Sequence, residues 1–400
     1  MTADDDVLRA LIAHDEDLDQ CGQCIWVGAE PTYTDRMSEQ PEWLFDALGD
    51  DKRNRAHRIL TRLAHRGIGA AVLRSVGRQY GGEPLPRWSL GLYARRDGKP
   101  VWAGPPDPLL IDQLPTDPLP TDPLHTDPDS PPSPETFADA LTATLKSAGL
   151  SATTLDPPHR HRVVFRADGG TPPICIESEP LLARPSVHCQ RVADTEVVDL
   201  LAQEGTYLVC CHDEDGVLRL ELPAIKEVEL FLRLLDALST AATSIDASAL
   251  ILAGYPPPVD DQVSWMTVTA DPAVIEVNLA PAARTADLLQ QLRQLESETA
   301  AEGLAPYRLQ YNGEESDSGG GGQITLGGRS AESSPFLTTP HLLPGLIRYF
   351  NRHPSLSYLH AFESVGPASQ APRVDEGVRG ALSELSLSLE LLRRTEDPAP

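Results

Sequence analysis

Two glutamates in this chain follow patterns that would hold a carboxylate still. Glu30 closes the apolar run of "WVGAEPTYTD" and precedes Pro31, so the spacing predicts a carboxylate fixed at a strand end, with a solvent-facing turn acid as the alternative. Glu276 alternates with Asn278 in "VIEVNLA", which sets two hydrogen-bonding groups on one strand face and Ile275, Val277 and Leu279 on the other. Carboxylate and amide oxygens grouped this way suit a hard cation or a substrate amine.

Cationic and backbone donors come from other stretches. In "GGEPLPRWSLGLY" the prolines and glycines hold Glu83 and Arg87 beside an apolar strand, so Arg87 either grips a phosphate or carboxylate with its planar fork or pairs with Glu83. In "DSGGGGQITLGG" the run Gly319, Gly320, Gly321, Gly322 enters a strand that puts Gln323 and Thr325 on a common face. Such a loop can offer N–H groups to an anion, or it is a slack hairpin turn. It lacks the Gly-Lys-Ser/Thr ending of a nucleoside-triphosphate P-loop. The pair Cys21 and Cys24 in "CGQC" has no second CxxC to complete a zinc ribbon, and ordinary reduced thiols are expected.

The elements that must position these groups are legible from composition and period. The chain has 400 residues, 40% of them hydrophobic, enough to bury one large or two medium cores. A net charge of −26 argues against nucleic acid or an anionic membrane as partner. No window approaches the roughly 18 apolar residues of a membrane span, and the N-terminus is acidic where a signal peptide would be basic, so a cytoplasmic protein is expected. The Pro- and Asp-rich stretch 105–134, with near-copies of Thr-Asp-Pro-Leu, reads as an extended connector between segments 1–104 and 135–395, which are expected to form one composite unit. Ser133 and Pro134 predict the start of a helix running to about Leu150. Further helical periods lie near 225–238, 285–301, 340–350 and 378–394, and "VLRLEL" predicts a strand with Arg219 and Glu221 opposite Leu218, Leu220 and Leu222. Half-polar strands backed by helices predict an α+β fold with a largely antiparallel sheet, one face of which is polar and could line a site.

Order and wording together carry a resemblance. "WVGAEPTYTDRMSEQPEWLFDALGDDKR", "GEPLPRWSLGLYARRDGKPVW", "GYPPP" followed by "DPAVIEVNLAP", the glycine run ending "LGG", "SPFLTTPHLLPGLIRYFNRHPSLSYL" and "GPASQAPRVDE" resemble, in this order, the bacterial domain family DUF2126, which is named for amidoligase activity. The resemblance implies a glutamine synthetase-like carboxylate–amine ligase with a curved antiparallel sheet. It implies ATP and Mg²⁺ as cofactors, and carboxylate and amine substrates joined through an acyl phosphate. By it Glu30 and Glu276 are metal carboxylates and catalytic residues with Gln323, while Arg87, Asn278, Gly319, Gly320, Gly321 and Arg373 bind substrate or nucleotide. The chain also departs from the family pattern. Gly322 and Gln323 stand where Asn-His is usual, Ala280 where a histidine is usual, and Ala253 where a glutamate is usual. A shortened, divergent member is therefore expected, without the transglutaminase-like module that often precedes the domain. Two functions follow: an ATP-dependent amidoligase, or a weakened member that binds nucleotide and acts as partner or regulator of a complete ligase or a transglutaminase-like protein.

Overall fold

The computed structural model describes residues 3–353 other than 23, 67–68, 78–79, 81–82, 84–85, 112–131, 158, 173–204, 310, 319–321 and 331, together with residues 390 and 394. The expected helix at 378–394 therefore lies outside the described residues apart from those two positions. The chain divides into two compact units, one built from Met1–Arg55 and Ala270–Pro400, the other from Ala56–Thr269. Each is α+β, with mostly antiparallel strands. Among the described residues no helix is long and apolar enough to cross a membrane.

Unit one begins with α1 (Ala3–Gln20), β1 (Trp26–Glu30) and β2 (Thr32–Asp35), and the chain leaves it through α2 (Asp50–Arg66). It returns with β11 (Val274–Asn278), α6 (Thr285–Ala301), β12 (Leu304–Ala305), β13 (Tyr307–Leu309), β14 (Glu315–Asp317), β15 (Gln323–Gly327), α7 (Pro335–Thr338) and α8 (Leu342–Arg352). β2 lies between β12 and β11, β1 pairs with β15, and β13 with β14, all antiparallel. Val27, Ala29, Tyr33, Ile275, Val277 and Leu279 are buried on one face. Gly28, Glu30, Thr32, Glu276 and Asn278, which alternate with them, belong to the other face, as the period of a strand requires.

Two charged groups brace this unit from inside. Asp15 of α1 accepts from Thr285 N at 2.9 Å, Thr285 Oγ1 at 2.8 Å and Ala286 N at 3.2 Å, so one helix caps the N-terminus of another. Lys52 is fully buried and donates to the carbonyls of Asp46, Ala47 and Asp271 at 2.9, 3.2 and 2.8 Å. Its ammonium also lies over the buried ring of Trp43, 5.4 Å from the centroid. The long motif "EWLFDALGDDKR" is thus a folded clamp, which explains why its charges are not simply solvated.

Unit two contains β3 (Ala71–Val76), β4 (Trp88–Arg95), α3 (Pro108–Ile111), α4 (Pro134–Ser147), β5 (Ser151–Thr154), β6 (Arg162–Arg166), β7 (Thr206–Glu214), β8 (Val217–Leu222), α5 (Val228–Ser244) and β9 (Leu250–Gly254), and the chain leaves it along β10 (Val263–Asp271). The strand order is β10-β4-β3-β9-β8-β7-β6-β5, antiparallel except where β9 runs parallel to β3 and β8. The predicted helix start is present: Ser133 Oγ accepts from Thr136 N at 3.2 Å, and Pro134 opens α4. Phe137, Leu141 and Leu145 of α4 and Phe231, Leu234 and Leu238 of α5 share one core with Leu218, Leu220 and Leu222 of β8. Residues 105–111 of the Pro-rich stretch are fastened to this unit, because Trp102 Nε1 donates to Pro105 O at 2.8 Å and Leu250 N to Pro106 O at 3.1 Å.

Candidate functional site

The site begins with a strand that proline interrupts. Pro31 separates β1 from β2, yet both stay in one register with β11: Ile275 stands opposite Tyr33, Glu276 opposite Thr32, and Leu279 N donates to Ala29 O at 2.9 Å. Val277 N donates to Pro31 O at 3.0 Å, while Pro31 has no N–H to return. Residues 29 and 31 therefore carry the bonds to β11. Glu30 faces Asn278, and Thr32 faces Glu276, in the non-hydrogen-bonded pairs, where side chains approach most closely.

On the other edge of β1, Glu30 is paired with Gln323 and Gly28 with Thr325. Directly paired residues project to the same face, so Gln323, Glu30 and Asn278 form one row, and Thr32 with Glu276 forms the next. Glu30 and Glu276 are thus diagonal neighbours, with Cα atoms roughly 7–8 Å apart or less, within reach of one ion between two long carboxylates. Asn278 Nδ2 donates to Glu276 Oε1 at 2.9 Å, which fixes the orientation of that carboxylate. Glu30, Glu276 and Asn278 are half-buried, and Gln323 is exposed.

Both ends of the glycine run meet this face. Thr32 Oγ1 and Ser318 Oγ share a buried hydrogen bond of 2.6 Å just before the run, and Gln323 is seated opposite Glu30 just after it. Gly319, Gly320 and Gly321 lie outside the described residues, as does Arg373. Gly28 belongs to the same face, and a Cβ there would meet Thr325 Oγ1 at 2.4 Å, so the threonine side chain would have to shift. Ala280, two residues beyond β11, is buried and offers no polar group.

Arg87 lies in unit two and is paired with Glu83. It is 9% exposed, donates to Glu83 Oε1 through Nε at 3.0 Å and Nη2 at 2.7 Å, and stacks on Tyr80 at 4.3 Å from the ring centroid. That contact, with help from Tyr80 N, holds the Glu83 carboxyl below the usual carboxylate range.

Sequence reasoning missed Thr32, Ser318 and Arg308. Thr32 and Ser318 are far apart in sequence and carry no local signal, whereas Arg308 sits on the short hairpin strand β13, paired with Ser316. Burial pushes the Arg308 guanidinium below its ordinary pKa, against the pull of Asp35.

Among the described residues no group of three or more His, Cys, Asp or Glu side chains is arranged to hold a metal ion. Two carboxylates suffice for magnesium when the remaining ligands are water and substrate phosphates, so the donor set fits Mg²⁺ carried by a nucleotide and does not form an all-protein cage.

A family model described as "Putative amidoligase enzyme (DUF2126)" matches residues 5–155 and 184–400. No curated protein and no solved structure matches the chain.

Proposed function

Because the chain belongs to the DUF2126 family, we propose that it is an ATP-dependent carboxylate–amine ligase whose chemistry is carried on the Glu30 face of unit one. Such a ligase transfers a phosphoryl group from ATP to a carboxylate, and an amine then displaces the phosphate to leave an amide. The observation that supports the reading is the register: Glu30, Asn278 and Gln323 stand in one row and Glu276 in the next, although they come from three distant stretches.

Glu30 and Glu276 would hold Mg²⁺, which neutralises charge on the phosphates as they are bound and transferred. Asn278 keeps the Glu276 carboxylate turned into the row. The exposed amide of Gln323 is available to substrate, and Pro31 stiffens the strand that carries Glu30. Gly319 to Gly321 and Arg373 keep the nucleotide-binding roles that follow from the family resemblance. The carboxylate and amine substrates are small molecules or peptides.

Ala280 favours a second reading. By the family resemblance it puts a buried methyl group where an imidazole is usual, two residues after Asn278, and so removes a group able to move a proton. On this reading the protein binds nucleotide and serves a complete ligase as partner or regulator.

Calorimetric titration with Mg-ATP tests the site. Glu30→Gln and Glu276→Gln should each weaken binding by about tenfold or more, the loss of one charged ligand contact. Unchanged affinity in both variants would sink their metal role. ADP formation with a panel of carboxylates and amines separates the readings, since binding without ADP release favours the second.

A further inference from the structure

The described cations of unit one mostly have their anions already. Arg9, Arg53 and Arg284 pair with Asp6, Asp50 and Asp19, and Arg55 bridges Asp35 and Asp51 at 3.0 and 2.9 Å. Lys52 spends its three N–H groups on main-chain carbonyls. Arg308 differs. It is half-buried, no carboxylate of a described residue lies within ion-pairing distance, and the one acid that favours its charge, Asp35, is already held by Arg55. A guanidinium kept partly out of water without a counter-ion is costly unless an anion arrives.

The hairpin ties the strand of this cation to the edge of the carboxylate rows. Arg308 and Ser316 are directly paired across β13 and β14, so their side chains leave the same face. Ser318, two residues on, follows the same alternation, and its hydroxyl meets Thr32, the row partner of Glu276. Tyr307 and Leu309 point the other way, where Arg36 donates to the Tyr307 hydroxyl at 2.9 Å. The strand bearing Arg308 is therefore tied, through β14 and Ser318, to the edge of the Glu30 face.

We propose that Arg308 is the oxyanion grip of this site, binding a phosphoryl oxygen of the substrate that Glu30 and Glu276 reach through magnesium. The inference rests on the ligase reading for the identity of the substrate, and on Arg308's own surroundings for the anion. The planar fork suits two oxygens of one phosphoryl group, which a lysine ammonium matches only as a point charge.

Tripolyphosphate in the presence of a chelator reads Arg308 without the metal. Native protein should bind it, Arg308→Met should weaken it roughly ten- to a hundredfold, and Arg308→Lys should recover part of the loss. The unliganded melting temperature of Arg308→Met should equal or exceed that of the native protein, because a half-buried charge without an ion-pair partner among the described residues is removed. No binding by the native chain, equal affinity in Arg308→Met, or a lowered melting temperature with affinity retained would each overturn the proposal. The magnesium-dependent gain in ATP affinity, measured on Glu30→Gln, judges the ligase reading separately. Its absence there leaves the metal-free result on Arg308 standing. Comparing ATP with acetyl phosphate on Arg308→Met tells whether the nucleotide's terminal phosphate or an acyl phosphate is the one gripped.

Discussion

β8 and β11 carry the same alternation of apolar and polar residues, and the fold puts it to opposite uses. In β8 the leucines enter the main core of unit two, while Arg219 on the other face is only 4% exposed and lies 3.1 Å from the Glu214 carboxylate. The pattern repeats on β3, where Arg74 donates to both oxygens of the buried Asp107 at 3.0 and 2.6 Å. In β11 Ile275 and Val277 are fully buried, but Glu276 and Asn278 stay half-buried and bond to each other. Period tells which residues leave the core. It does not tell what then meets them, which is an arginine–carboxylate pair on β8 and β3 and a carboxylate–amide pair on β11.

If this contrast is right, removing an acid should cost fold in unit two and ligand in unit one. The largest effect is expected for Asp107→Asn, which leaves the half-buried Arg74 without its carboxylate and should lower stability by about 2–3 kcal/mol in denaturant unfolding. Glu30→Gln or Glu276→Gln, measured the same way, should stay within roughly 1 kcal/mol of native; a loss matching that of Asp107→Asn would erase the contrast.

Gly28→Ala probes the packing that keeps the Glu30 face in register. The clash with Thr325 should cost about 1–3 kcal/mol, and adding Thr325→Ala should restore most of it. An unaffected melting temperature in Gly28→Ala would mean that β15 is not held as closely as described.

The smallest effect concerns His161 of unit two. Burial, then the charge of Arg162 and the neighbouring His212, depress its pKa from 6.5 to about 4, with Glu135 pulling the other way and His159 adding to the depression. The folded protein thus binds fewer protons than the unfolded chain between these values. Stability should fall as pH drops from about 6.5 toward about 4, and His161→Gln should flatten that slope. A slope unchanged by the substitution would assign the acid sensitivity elsewhere.

Local pattern made much of the fold readable. Ser133 and Pro134 mark the start of α4, the 3.6-residue period finds α6 at its observed limits, and alternation finds β8 and β11. Asn278 and Glu276 were legible as a pair because they share one strand. Their meeting with Glu30 and Gln323 was not, since pairing across hundreds of residues leaves no trace in the window that carries periodicity. Charged residues in turn-like contexts misled for another reason. Lys52 in "GDDKR" and Asp107 among prolines carry no local mark of burial, yet both are buried because main-chain carbonyls and Arg74 supply their partners.

Unit one is assembled from the two ends of the chain, and this has a consequence in time. On a ribosome, β1 and β2 emerge early, but β11, the Thr285 end capped by Asp15, and β15 come only after all of unit two has been made. At 5–20 residues per second the first strands wait roughly ten to fifty seconds for β11. Unit two can condense in that interval, whereas the apolar face of Val27, Ala29 and Tyr33 stays uncovered by its native partners. Newly made chains should therefore depend on chaperones during this wait, and the Glu30 face is completed only after unit two has been made.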